Sequence, residues 1–226
     1  MAQAALAKFQ HSWLYATLGG FIFLLFFYLA YSQIDSNFYQ HRDDGLITLS
    51  HAKNWIDFGF IGVNPSGERL EGYSAPVQFF LFALAYLLGG IAYATFMDWQ
   101  TLISTFLLGF IFVLYFVRQP YFALGAAALG ASALTLCTSF FEWHASGMEN
   151  AITHVLFAGS VYGLYRFALE QKIQWSWVLI FALASLSRLD GLYHIAPILL
   201  GFALYWRLVQ KQWQGFYVLA CVALLW

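Results

Sequence analysis

The sequence predicts an all-α protein: a polytopic transmembrane helical bundle with surface-lying helices in its first extracytoplasmic loop. Composition is the first reason. Of 226 residues, 62% are hydrophobic, 21% aromatic and 9% charged, with a mean hydropathy of +0.68, whereas about a quarter of the residues in soluble domains are charged. The second reason is spacing. Stretches free of Lys, Arg, Asp and Glu recur at 9–34, 72–97, 99–117, 119–141, 150–165, 173–187, 191–206 and 212–226, and a helical span needs roughly 20 apolar residues. The third is that the few charges gather in short islands between these stretches. A formal net charge of -1 implies no nucleic-acid partner.

The first hydrophobic stretch, Trp13 to Tyr31, is too long for a signal peptide and is not followed by a small-residue cleavage site. Residues 33–90 form the first extracytoplasmic loop, with juxtamembrane helices. Within it, Leu46, Leu49, Lys53 and Ile56 fall at near-helical spacing, with Trp55 and Phe58 as interfacial aromatics, which predicts an amphipathic surface helix. Asp43-Asp44 open that helix. A second surface-lying or re-entrant helix covers 73–88, is broken at Gly89-Gly90, and is followed by one long crossing from Ile91 to Val117. Pro76 and the tight Met97-Asp98-Trp99 link argue against two independent spans there, because a loop of about two residues is the short extreme for a helix pair.

Charge counting selects this topology. If every charge-free run spans, only Lys8 and Arg188 lie on the amino-terminal side, with the other eight basic residues opposite. With 73–88 at the surface, Lys8, Arg118, Arg166, Lys172, Arg207 and Lys211 share a side, opposite Arg42, Lys53, Arg69 and Arg188. Cytoplasmic loops are enriched in Lys and Arg, so the second arrangement is preferred and the amino terminus is cytoplasmic. Gly19-Gly20, Gly125 and Gly130 are read as sites of close helix packing, and Cys137 and Cys221 as small hydrophobes. The last run reaches Trp226 without a flanking charge, so residues 1–226 are read as a single module truncated at its carboxy terminus.

This topology puts ten of the eleven acidic residues, all but Glu170, on or near the outer face. Three polar clusters converge there: Asp43-Asp44 with Glu71; Glu142 to Asn150, which includes His144 and Glu149; and Ser187-Arg188-Leu189-Asp190-Gly191. Asp43 or Asp44 at a helix amino terminus would be held ionised by orphan N–H groups and the helix dipole. Such a carboxylate serves either as a helix cap or as a general base toward a hydroxyl, and one cap does not require two aspartates. Arg188 and Asp190 read either as a mutual ion pair or as functional groups near the membrane, with the planar guanidinium suited to phosphate. Glu149 reads equally as a substrate-binding carboxylate, a metal ligand or a cap for a helix starting at Asn150. His144 and His194 are read as isolated histidines, and no Cys/His spacing of a zinc site occurs. A P-loop, a nucleotide-binding glycine fingerprint and an internal repeat are likewise missing from the sequence.

Asp43-Asp44-Gly45-Leu46-Ile47, then Asn64 to Ser74 (Asn-Pro-Ser-Gly-Glu-Arg-Leu-Glu-Gly-Tyr-Ser), then Ser146-Gly147-Met148-Glu149 and Arg188-Leu189-Asp190-Gly191 together resemble the GT-C glycosyltransferases in order and spacing. The resemblance covers most of residues 13–210 and is greatest to the bacterial branch with the mycobacterial terminal β-arabinofuranosyltransferase. Where family members often read Gly-Leu-Glu-Thr and Arg-Pro-Asp/Glu-Gly, this chain has Gly147-Met148-Glu149-Asn150 and Arg188-Leu189-Asp190-Gly191.

The resemblance implies an enzyme of the bacterial inner membrane, active on the extracytoplasmic face, that passes a sugar from a polyprenyl-phosphate donor to a glycan, lipid or protein acceptor. Asp43 or Asp44 would be the base, with Asp43 favoured as the first acidic residue of the motif. Glu71, Tyr73, His144, Glu149, Arg188 and Asp190 are the candidate substrate-binding residues, and Arg188 would stabilise the departing phosphate. One direct displacement implies inversion. A divalent-cation cofactor stays open. The rival expectations are a transporter or lipid flippase, whose charges belong near the bilayer midplane, and a non-catalytic envelope scaffold, which has no need of Asp43-Asp44.

Overall fold

The computed structural model describes residues 2–32, 43–64, 75–117, 130 and 137–225. Among these residues the regular structure is entirely helical: α1 (Ala2–Ser32), α2 (Asp43–Phe58), α3 (Pro76–Gly89), α4 (Tyr93–Phe116), α5 (Thr138–His144), α6 (Asn150–Glu170), α7 (Trp175–Leu186), α8 (Gly191–Val209) and α9 (Gln214–Leu225). The run expected at 119–141 lies largely outside the described residues.

Among the described residues, two helices are long and apolar enough to cross a membrane: α4, over Tyr93–Tyr115, and α8. Shorter apolar stretches occupy Ser12–Leu25 within α1, and the helices Pro76–Gly89, Trp175–Leu186 and Gln214–Leu225. Among the described residues, the expected crossings are met by length and composition at α4 and α8. Helices α7 and α9 have 12 residues each. Helix α6 has 21, but Thr153, His154, Tyr162, Tyr165 and Arg166 dilute its hydropathy.

The two helices expected at 43–58 and 73–88 are present in the backbone as α2 and α3. Helix α2 begins at Asp43, and its inner face presents fully buried Leu49 and Ala52 to Phe79, Phe82, Phe96 and Met97. Lys53 falls outside that face. It pairs with Asp57, which also accepts a hydrogen bond from the Tyr86 hydroxyl at 3.2 Å. Pro76 stands in the first turn of α3, where its missing N–H costs nothing. Gly90, at φ 61°, closes α3 with its N–H on the Tyr86 carbonyl, a left-handed helix stop. Helix α4 then runs through Met97-Asp98-Trp99 without interruption.

Packing sets the helix directions. Gly20 faces Val113 and Leu24 faces Gly109, with Phe23 stacked on Phe112 at 5.5 Å, so α1 and α4 run antiparallel. Ile111 approaches Gly159 and Tyr115 meets Tyr165 at 4.8 Å, so α4 and α6 run parallel. Trp177 lies over Gly163 and Ile180 over Gly159, which makes α6 and α7 antiparallel. A core of Phe167, Phe181, Ile195, Leu199, Trp206, Val218 and Val222 joins α6 to α9. Gly20 thus serves the packing expected of it. Gly125 lies outside the described residues, and a Cβ at Gly130 would meet no described atom within 4 Å. One end of the assembly therefore collects the starts of α4, α6 and α8 and the ends of α5 and α7. Elsewhere large apolar side chains are exposed on helix faces, among them Phe21, Leu88, Phe106, Leu179 and Leu208.

Helix α9 meets α8 so closely that a Cβ on Gly215 would stand 2.6 Å from the Ala203 Cα. Backbone cannot yield as a flexible side chain does. Gly215→Val should cost about 1–3 kcal/mol of stability, the usual range for overpacking. Thermal denaturation in detergent would measure the loss, and an unchanged midpoint would mean that this crossing is loosely packed.

Candidate functional site

At the polar end, the turn between α5 and α6 is held by side chains from two other helices. Gln78 of α3 donates from Nε2 to the Gly147 carbonyl at 2.8 Å and to Gln100 Oε1 at 2.9 Å. Gln100 of α4 passes its own Nε2–H to the Met148 carbonyl at 2.6 Å. Thr101, one residue on, donates to the His144 carbonyl at 3.4 Å. Gln78 is fully buried and Gln100 nearly so. Buried amide N–H groups need acceptors, and the carbonyls of the turn supply them, while Gln78 Oε1 finds no partner among the described residues. Gly147 sits at φ +77°, which glycine adopts without strain.

Helix α2 enters the same junction. A Cβ on Gly45 would stand 2.9 Å from the Gly147 carbonyl oxygen and 3.0 Å from Met97 Cε, so only glycine lets the first turn of α2 approach. Gly45, which follows Asp43-Asp44, therefore abuts the Ser146-Gly147 turn; the side chains of Asp43 and Asp44 lie outside what the structure describes. Glu71 and Tyr73 lie outside the described residues.

The second and third clusters meet through Arg188. Its Nε donates to Asp190 Oδ1 at 2.9 Å, and its Nη1 donates to Glu149 Oε1 at 2.8 Å and to Asn150 Oδ1 at 3.1 Å. Glu149 and Asp190 stand at the N-cap positions of α6 and α8, yet neither makes a side-chain cap bond. The cap reading of Glu149 is corrected on this point: its carboxylate turns to the guanidinium instead. Glu149 is buried, Arg188 keeps a third of its side chain exposed and Asp190 about half. His194 Nε2 lies 3.5 Å from Asp190 Oδ2. The hydrogen bond from Arg188 holds the Asp190 carboxyl below the usual carboxylate range.

The reading of His144 as an isolated ring is also corrected. Fully buried, it lies parallel to His154 with centroids 5.3 Å apart and Nδ1 to Nδ1 at 3.0 Å. Phe140 stacks on both rings, and the Thr105 hydroxyl contacts His144 Nε2 at 3.1 Å. Burial pushes His144 down to about 3, and the neighbouring His154 adds to the effect. His154, Gln78 and Gln100 are absent from the sequence candidates. The signal was polar residues inside otherwise apolar runs, which must find partners when buried.

Beside Gln100 and Ser104, an open apolar groove of about 500 Å³ runs between α3, α4 and α6, lined by Leu81, Phe96, Ile103, Val155 and Leu156 among others. Among the described residues, no group of three His, Cys, Asp or Glu side chains is placed to hold a metal ion. No protein-family model, curated protein or solved structure matches the chain.

The Arg188 bridge has a thermodynamic signature. Because Asp190 binds its proton less readily when folded, its contribution is present above the ordinary carboxylate range and is lost as pH falls below about 4. Arg188→Ala should lower stability at neutral pH by about 1–3 kcal/mol, since buried Glu149 loses its charged partner, and should weaken the acid dependence. Adding Glu149→Gln should recover part of the loss by removing the buried charge. Thermal unfolding between pH 3 and 7 tests this, and an Arg188→Ala midpoint equal to wild type would show that the bridge contributes no stability.

Proposed function

We propose that the chain is the catalytic transmembrane module of a GT-C-type glycosyltransferase. It transfers a sugar from a polyprenyl-phosphate donor to an acceptor outside the cytoplasm, with inversion, in the bacterial inner membrane. The observation that carries this reading is the Glu149–Arg188–Asp190 bridge, set at one end of largely apolar helices beside the start of α2. A lipid-linked sugar phosphate needs an apolar path for its tail and cation and carboxylate chemistry at headgroup depth. The groove beside Gln100 supports the first need and the bridge the second.

In the reaction, Asp43 or Asp44 takes a proton from the acceptor hydroxyl, which attacks the anomeric carbon as the lipid phosphate departs. The amino terminus of α2 favours an ionised carboxylate there. Arg188 neutralises the leaving phosphate. Among the described residues its Nη2 makes no hydrogen bond, so one edge of the guanidinium stays available beside the two carboxylates. Those carboxylates also keep excess positive charge from holding the product phosphate too tightly. A flippase would place its ionisable groups near the midplane, whereas these gather at one end of the helices.

Of the variants Asp43→Asn and Asp44→Asn, one should lower turnover about 10²- to 10⁴-fold, the usual cost of a lost general base, with thermal stability little changed. A synthetic polyprenyl-phosphate sugar as donor provides the assay. Near-normal turnover in both variants would remove the proposed base.

The outer-face assignment predicts that single cysteines at Asn64, Ser146 and Gly191 react with an impermeant thiol reagent in intact cells. Cysteines at Arg118, Arg166 and Lys211 should react only after permeabilisation. Reaction of residue 166 from outside would separate the clusters and end the proposal.

A further inference from the structure

The His144–His154 pair plays no part in the chemistry above, yet its hydrogen bonds among the described residues favour one tautomer of each ring. Thr105 gives its single hydroxyl proton to the Thr101 carbonyl at 2.8 Å, so toward His144 Nε2, at 3.1 Å, its oxygen can only accept. The Thr101 carbonyl, also in contact with the His144 ring, accepts as well. His144 Nε2 therefore carries the proton. His144 is neutral, so its Nδ1 is a lone pair, and the 3.0 Å contact to His154 Nδ1 must be an N–H donated by His154. A neutral His154 protonated on Nδ1 has a bare Nε2.

Among the described residues that nitrogen makes no hydrogen bond. The ring is only partly buried, pinned on one face by Phe140 at 4.5 Å. Helical spacing puts it one turn along α6 from Asn150, on the same face. Asn150 touches Arg188, and the guanidinium acts electrostatically on His154. The three links, Thr101 carbonyl to Thr105 to His144 to His154, thus orient one acceptor beside the Glu149–Arg188–Asp190 bridge.

We propose that His154 Nε2 is a fixed acceptor for a hydroxyl of the transferred sugar, and that His144 and Thr105 are positioning residues that hold its tautomer. The proposal rests on the glycosyltransferase reading for the identity of the ligand. A neutral, donor-free nitrogen suits an uncharged polyol: it accepts from a hydroxyl and offers nothing to a phosphate oxygen, which Arg188 serves instead. The site then divides recognition, with the guanidinium on phosphate and the imidazole on sugar.

The test uses the reconstituted protein, farnesyl phosphate, and farnesyl phosphate bearing arabinofuranose. His154→Asn keeps an amide N–H near the Nδ1 position for His144 and deletes the Nε2 acceptor. It should weaken binding of the sugar-bearing lipid about tenfold, the scale of one hydrogen bond, and leave farnesyl phosphate binding unchanged. Nitrogen-15 NMR of histidine-labelled protein should show Nε2–H on His144 and Nδ1–H on His154, and Thr105→Val should scramble this pattern without unfolding the protein. An Nε2–H on His154 in wild type overturns the inference regardless of ligand. Equal weakening for both lipids in His154→Asn assigns the histidine a structural role and leaves the transferase reading standing. A wild-type protein that binds neither lipid overturns that reading and the ligand assignment together.

Discussion

The turn between α5 and α6 places backbone carbonyls among apolar helices, and their need for donors organises the polar end of the molecule. Gly147 and Met148 turn their C=O groups toward α3 and α4, where Gln78 and Gln100 answer them. A buried carbonyl without a donor is costly in any apolar medium. Because the two glutamines also bond each other, α3 and α4 cannot shift independently of the turn. Helix α2 is seated by the same turn through Gly45, and the first residue of α6 follows directly from it. The position of Glu149 opposite Arg188 is therefore inherited from an amide network that carries no charge.

The ion bridge is the second level of that order. Glu149 and Asp190 occupy N-cap positions, where a carboxylate ordinarily bonds the helix's own N–H groups. Both give up that bond for Arg188, so one guanidinium joins the starts of two helices that are distant in sequence. The helix dipoles still favour the carboxylates, so the exchange forfeits little. It yields a rigid, partly exposed cation flanked by two anions, a pattern in which the charges hold one another in place before any ligand arrives.

Much of the first loop was legible in the sequence because its signals are local. Leucine spacing gave α2, Pro76 and Gly90 bounded α3, and the uncharged run from Ile91 gave α4. The acidic islands were equally visible because charge is rare in this chain. What the sequence concealed is non-local. Nothing in Gln78 or Gln100 announces which carbonyl it serves, and the runs were delimited by charge, so uncharged polar residues within them passed unremarked. His144 seemed solitary because its partner comes ten residues later, after a turn that folds α6 back to it. Arg188 and Asp190 were foreseen as a pair, but the share taken by Glu149 depends on that same reversal.

Helix α7 bears on how deep this end of the molecule sits. Its 12 residues rise about 18 Å, while the hydrocarbon of a bilayer is about 30 Å thick. In a membrane such a helix leaves a hydrophobic mismatch, relieved by thinning of the lipid or by drawing the flanking polar residues inward. The residue that follows it closely is Arg188, whose long aliphatic stem lets the guanidinium reach upward from a sunken backbone. Under the proposed membrane reading, the short helix would act as a depth gauge, drawing a charged hairpin toward the level of lipid phosphates and thinning the bilayer around it.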